Sequence, residues 1–149
     1  MADIDEQMNA LLGAIRSSVP KGEAQERITY EGAKVMDKHI AQAARSEHYN
    51  DAKMHNRKRS KERTTKHLAD STMVFKGDID GIHNGTSTAA FANARKSGID
   101  HGRVARFLND GTVKIKADHF VDRAREKAKP EAYSAIKAAY EKEMDHDDG

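Results

Sequence analysis

The chain has 149 residues, of which 37% are hydrophobic and 34% are charged, with no cysteine and a net charge of only +2. This length predicts one domain over residues 1–149. The lack of cysteine excludes a disulfide framework and a zinc site built on thiolates. A composition this polar predicts a thin core, so we expect long helices whose second face packs against partner subunits.

The N-terminal segment, residues 3–19, has the apolar spacing of an amphipathic helix. Asp3, with Glu6 three residues later, is typical of a capping box, and Pro20-Lys21-Gly22 ends the pattern. We expect residues 1–20 to form a helical arm or packing partner. Its acidic start differs from a signal peptide, and no segment reaches the ~18 apolar residues of a membrane span. The sequence therefore predicts a soluble cytoplasmic protein. The apolar face comprises Ile4, Met8, Leu11, Leu12, Ile15 and Val19.

Residues 21–145 predict an α+β core. A long helix is expected over residues 23–48, because small and medium apolar residues form a stripe suited to close packing. Two antiparallel strands are predicted near residues 73–75 and 87–91, on either side of a turn rich in Gly, Asp and Asn. The expected architecture is a small antiparallel sheet packed against this helix and a C-terminal helix.

The C-terminal third predicts a corner followed by a long helix. A short helix at 103–108 leads into a turn at 109–111, and the alternating residues 113–116 predict a third strand. A helix over residues 118–145 follows, with Asp118 as its cap. Pro130 lies inside this helix, so a kink or break is expected near residue 129. Residues 146–149 are predicted to be a disordered tail.

No catalytic, cofactor or metal site is predicted. The eight histidines show no metal-binding spacing, and Asp78 and Asp80 have no sequence-evident partner for acid–base work. Residues 78–89 lack the ligands of a calcium loop at their fifth and twelfth positions. We therefore interpret residues 78–84 as a polar turn and expect the protein not to be an enzyme.

The strongest compositional signal is a basic run within the loop predicted at residues 50–66. No aromatic residue is interleaved, so base stacking is not offered, although the cations could neutralise several phosphates. The same cations could instead dock on an acidic protein surface, such as the acidic C-terminal stretch of a neighbouring copy. Both interpretations remain open from the residues alone, as does a plain solvated loop. The run comprises Lys53, Arg57, Lys58, Arg59, Lys61, Arg63 and Lys66.

Two short motifs carry a resemblance to a known family. The first is Phe107-Leu108-Asn109-Asp110-Gly111-Thr112, and the second is Ala117-Asp118-His119-Phe120-Val121. Together they resemble the tail-completion, or head–tail joining, family of long-tailed bacteriophages, whose members show an aromatic-Leu-x-x-Gly-Thr corner before Ala-x-Pro-Phe-Leu. His119 stands where the family often has proline. Upstream, residues 65–72 match a third family motif at Thr65, Leu68 and Ser71, but depart from it at Lys66 and Thr72.

The resemblance implies a structural virion protein of the phage neck, assembled in the bacterial host cytoplasm. Such proteins form rings, commonly hexamers, that contact other neck and tail proteins and surround a DNA channel, and they can be monomeric before assembly. No membrane partner or cofactor is implied. In this interpretation the basic run docks on a partner; the alternative is a nucleic-acid-binding accessory protein that uses the same run.

The corner motif also has a physical interpretation. Gly111 permits a tight turn that a Cβ atom would obstruct. The neighbouring motif residues are then expected to anchor the corner and the last helix to the sheet. A fully buried Phe107 ring would make Phe107→Ala destabilising by ~3–5 kcal/mol. The predicted structural anchors are Leu68, Phe107, Leu108, Gly111, Thr112, Phe120 and Val121.

Overall fold

The computed structural model describes residues 3–48, 67–93 and 99–147. The described chain combines helices with one antiparallel pair of strands, which confirms the predicted α+β class. In chain order the elements are α1 (Ile4–Ser18), α2 (Glu23–His48), a 3-10 turn (Leu68–Asp70), β1 (Thr72–Lys76), β2 (Ser87–Phe91), α3 (His101–Asp110) and α4 (Phe120–Asp147).

Helices α2 and α4 run antiparallel and form the frame of the fold. Gly32 allows them to approach closely, because a Cβ atom at this position would lie 2.6 Å from Ile136 Cδ1. The small residues of the α2 stripe therefore serve close packing, as predicted. Three side-chain pairs mark the alignment of the two helices: Arg27 with Glu143 at 2.6 Å, His39 with Glu131 at 2.7 Å, and Arg123 with Glu47 at 2.5 Å.

The two predicted strands form a sheet that packs on α2. Val74 lies opposite Ala89 in the register, and hydrogen bonds fix the start of β2 to the first turns of α2. Ser87 Oγ donates to the Glu26 carbonyl at 3.0 Å. In the loop between the strands, Asp78 Oδ1 accepts hydrogen bonds from the Asp80 and Ile82 amides, so this carboxylate shapes the turn.

The prediction of a third strand at residues 113–116 is wrong. These residues form a loop, because their backbone donors find partners locally. Thr112 Oγ1 accepts from the Lys114 and Ile115 amides, at 3.2 and 3.0 Å, and the Thr112 amide donates to the Ile115 carbonyl at 2.8 Å. A hydroxyl that satisfies nearby amides offers the chain an alternative to strand pairing. The alternation of residues 113–116 therefore does not reflect a half-buried strand.

The core lies where α2, the 3-10 turn, α3 and the start of α4 meet. Phe120 is the largest fully buried side chain in the described ranges, and its ring meets the His48 ring edge-on with centroids 4.5 Å apart. Most of the remaining core positions are alanines, which agrees with the thin core expected from composition. The central cluster is Ile40, Ala44, Leu68, Ala69, Ala105, Phe120, Val121 and Ala124.

The predicted anchors differ in their burial. Leu68, Phe120 and Val121 are buried, and Leu108 packs partly buried against the same cluster. Phe107, in contrast, is 39% exposed, so the condition of a fully buried ring, on which the estimate of ~3–5 kcal/mol depended, is not met. The buried side of α3 carries Ala105 and Asn109. Phe107 therefore lies near solvent, where the Arg103 guanidinium stands over its ring.

Asn109 joins the end of α3 to the start of α4. Its Oδ1 accepts hydrogen bonds from the Val121 and Asp122 amides at 3.0 and 3.2 Å, and its Nδ2 donates to Asp122 Oδ2 at 2.9 Å. Two of the free amides at the start of α4 are thereby satisfied by one buried side chain. Asp118 caps the same helix end, as predicted, because its Oδ1 accepts from the Phe120 amide. The sequence pattern predicts the turn here, but it does not predict the role of Asn109.

Helix α4 is longer and more continuous than expected. It is continuous through Pro130, which contradicts the predicted break but does not test the predicted kink, and it extends to Asp147. The predicted disordered tail at 146–149 is therefore wrong for residues 146 and 147, whereas 148 and 149 lie outside the described residues. Contacts with α2 on both sides of Pro130, at Arg123 and at Ile136, hold the helix together across the missing amide donor.

Gly111 tests whether the turn between α3 and α4 requires a glycine. Its φ is +82°, and a Cβ atom would lie 2.8 Å from the Ala117 amide nitrogen. Gly81 has nearly the same φ, +83°, but no atom within 4 Å of its Cβ position. We expect Gly81→Ala to destabilise the fold by ~1 kcal/mol and Gly111→Ala by ~2–4 kcal/mol, since only the latter adds a backbone clash to the strain. Urea unfolding measures both values, and equal losses would contradict the clash.

Candidate assembly surfaces

Helix α1 exposes its entire apolar face. No residue of the helix is buried, although its apolar positions all fall on one side. A helix with such a stripe normally packs it against a core. The apolar residues of this stripe, which we call the α1 stripe, are exposed as follows: Ile4 73%, Met8 54%, Leu11 56%, Leu12 42%, Ile15 50% and Val19 52%.

The α1 helix is a separate arm attached at its C-terminal end. Asp3 caps its start by accepting a hydrogen bond from the Ile4 amide at 2.7 Å. At its end, the Ser18 carbonyl accepts a hydrogen bond from Tyr140 Oη of α4 at 3.1 Å. Gly22, with a φ of +57°, then turns the chain into α2. The arm is thus positioned by its last turn, while its apolar stripe stays uncovered in the single chain.

The α3–α4 corner is a second exposed apolar region. Val113, at the tip of the loop, is fully exposed, and Ile115 in the same loop is 40% exposed. Val104 and Phe107, one turn apart on α3, are 37% and 39% exposed. The loop is held by Thr112 and by the Gly111 turn, so these apolar side chains are presented on an ordered support. Exposed apolar groups on an ordered loop are typical of protein contact sites.

The basic run lies outside the described residues. Lys53, Arg57, Lys58, Arg59, Lys61, Arg63 and Lys66 all fall between residues 49 and 66, so their docking role stays a prediction. The acidic stretch proposed as a docking site lies on α4 except for Asp148, which falls outside the described residues. Within it, Glu143 is paired with Arg27, and the Arg27 hydrogen bond lowers the pKa of that carboxyl.

One group of potential metal ligands comes together in the described ranges. Glu47, His48 and Asp118 each offer one ligand atom, all within 4.8 Å of one another. His48 Nε2 lies 2.7 Å from Asp118 Oδ2 but lacks the alignment of a hydrogen bond. Glu47 already accepts from the Arg123 guanidinium at 2.5 Å, which places a positive charge beside the cluster. The arrangement fits a clamp between the end of α2 and the start of α4 better than an ion site.

A groove of about 480 Å³ lies between β2, α3 and the start of α4. Its wall combines apolar groups, such as Phe91 and Val121, with charged groups that include Arg106 and Arg125. Asp37 of α2 also lines it, with one buried carboxylate oxygen that has no hydrogen-bond partner among the described residues. The groove is therefore a mixed polar and apolar recess.

Comparison with protein-family models, with curated proteins and with solved structures finds no match for this chain. In the part of the chain that the structure describes, no helix combines the length and apolar character needed to cross a membrane.

Proposed function

We propose that this protein is a structural assembly component that acts by docking onto other protein chains. The observation that carries this proposal is the α1 stripe, a complete amphipathic helix face with no buried residue. Exposing such a face costs free energy, so a helix of this kind is expected to have a partner surface. The exposed apolar corner adds a second contact region, separate from α1.

The assembly that we propose is the neck of a long-tailed bacteriophage. The resemblance to the tail-completion family rests on the corner motif, whose residues have structural roles in this chain. Gly111 adopts the positive φ of the turn, Thr112 closes the loop, and Phe120 fills the core. These three roles are structural, which agrees with the proposal of a structural protein. On this proposal the chain forms a ring, commonly a hexamer, between head-completion and tail proteins.

A second candidate function is non-specific nucleic-acid binding by the basic run. Seven Lys or Arg residues within residues 53–66 favour it. Several phosphate contacts would make the affinity for a DNA duplex fall ~10³-fold or more between ~50 and ~200 mM salt. Weak binding at low salt would leave the run as a protein-docking segment. Strong, salt-sensitive binding would favour DNA contact over protein docking by the basic run, either in the neck channel or in an accessory role.

The neck proposal is tested in virions of the phage that encodes the chain. We expect cross-linking mass spectrometry of purified particles to detect this protein and to link it to head-completion or tail proteins. Deleting residues 53–64 should leave a folded protein that no longer joins filled heads to tails, with wild-type chain as the control. Absence of the protein from purified virions would overturn the proposal. Normal joining with the deletion would remove the basic run from the docking mechanism.

A further inference from the structure

The α1 stripe is complementary to itself when two helices run antiparallel. Its central positions, Ile4, Met8, Leu11 and Ile15, are spaced alternately by four and three residues, which is the seam of a two-helix coiled coil. Reversing the sequence order places Ile4 opposite Ile15 and Met8 opposite Leu11. Both ends of the seam then meet apolar residues of similar size.

The charges on α1 favour the antiparallel direction. Asp5 and Arg16 are separated by 11 residues, about three turns, so they lie on the same flank of the stripe. In an antiparallel pair, Asp5 of one helix lies beside Arg16 of the other, and this contact occurs twice. In a parallel pair this flank would instead lie beside the other flank of the partner, which carries Gln7 and Ala14, so the contact would be absent. Neither residue forms an ion pair within the described part of the chain, so both are available.

The helix dipoles, like the side-chain charges, favour antiparallel pairing. An antiparallel pair sets the positive N-terminal end of each helix beside the negative C-terminal end of its partner. The opposite face of α1, which carries Glu6, Gly13 and Ser17, is polar or small and remains in solvent. The side chains thus define one apolar seam, one charged flank and one solvated back.

We propose that a second copy of this chain covers the α1 stripe, through antiparallel pairing of the two α1 helices about a two-fold axis. The inference names a partner for the surface on which the proposed assembly function rests. A two-fold contact closes on itself, so it joins two copies and is distinct from the contact that would propagate a ring. Because α1 has only 15 residues, the pair is weak and reversible and falls in the class of small interfaces.

The absence of cysteine makes a direct test possible. Full-length Ile4→Cys and Ile15→Cys variants are prepared separately, then mixed and treated with a short bismaleimide linker. The antiparallel pair places residue 4 beside residue 15 of the partner, so the mixture should form a covalent dimer. Each variant alone should not, since its two thiols would lie about 16 Å apart along the helix axes. A mixture of Glu6→Cys and Ser17→Cys, on the solvated face, is the matched control.

Sedimentation of cysteine-free variants supplies an independent readout. Leu11→Asp should raise the dimer dissociation constant at least ~10-fold, whereas Ser17→Asp on the solvated face should leave it unchanged. Efficient cross-linking of Ile4→Cys alone would show parallel pairing and overturn the proposal. So would a mixture that cross-links no better than the control. These results are obtained in solution, so they stand apart from the virion experiment, which alone decides the neck assignment.

Discussion

Replacing Phe120 by alanine should destabilise the protein by ~3–5 kcal/mol, the usual cost of emptying a fully buried aromatic site. The ring has 0% exposure and sits at the first residue of α4, against the edge of the His48 ring at the end of α2. Most of its core neighbours are alanines, which cannot move inward to fill the space. Urea denaturation followed by circular dichroism gives the change in the free energy of unfolding.

Phe107→Ala is the matched control for this substitution. The same ring is removed from the same corner, but Phe107 is 39% exposed and its neighbour Arg103 lies over its face. We expect a loss of no more than ~1 kcal/mol, because most surface substitutions have small effects. A large loss for Phe107→Ala, or a small one for Phe120→Ala, would mean that the core is not centred on the start of α4.

Asn109→Ala should destabilise the protein by ~2–4 kcal/mol, although the substitution removes only a small polar side chain. The Asn109 oxygen accepts from the Val121 and Asp122 amides, and its nitrogen donates to the Asp110 and Asp122 carboxylates. The residue is 7% exposed, so water cannot readily replace these partners. Asn84→Ala is the control, since Asn84 makes comparable bonds in the exposed loop between the strands and should cost less than ~1 kcal/mol.

The destabilisation caused by Asn109→Ala should depend on pH, because Asn109 donates a hydrogen bond to the Asp122 carboxylate. The hydrogen bond from Asn109 lowers the pKa of Asp122 below its ordinary value of 3.8, so the folded state binds this proton less readily than the unfolded chain. The resulting stabilisation is present above pH 3.8 and is lost as the pH falls through the folded-state pKa. The stability difference between wild type and Asn109→Ala should therefore shrink on acidification below that value. A constant difference down to that range would show that Asn109 acts through the amides alone.

Several features of this fold could be predicted from local patterns. In the described residues, four α-helices and two strands lie where apolar spacing predicts them, and Asp3 and Asp118 cap helices as their positions suggest. The third strand could not be predicted correctly, because the alternation at residues 113–116 carries no information about whether Thr112 satisfies the nearby amides first. The exposure of Phe107 could not be predicted for a related reason, because spacing assigns a residue to a helix but not to the side that faces the core.

The candidate assembly surfaces also combine features that the sequence predicts with features that only the tertiary structure sets. The apolar stripe of α1 can be predicted from the sequence, because the helical period of 3.6 residues determines which side chains share a face. Whether that stripe is buried or exposed depends on how α2 and α4 meet, and their close contact at Gly32 leaves α1 outside the core. The role of Asn109 likewise exists only once α3 and α4 are brought together. The sequence by itself determined the helices, strands and charged segments, since these depend on neighbours along the chain. Only the tertiary structure decided which faces remain exposed and which polar groups join distant elements, because burial depends on contacts between residues far apart in sequence.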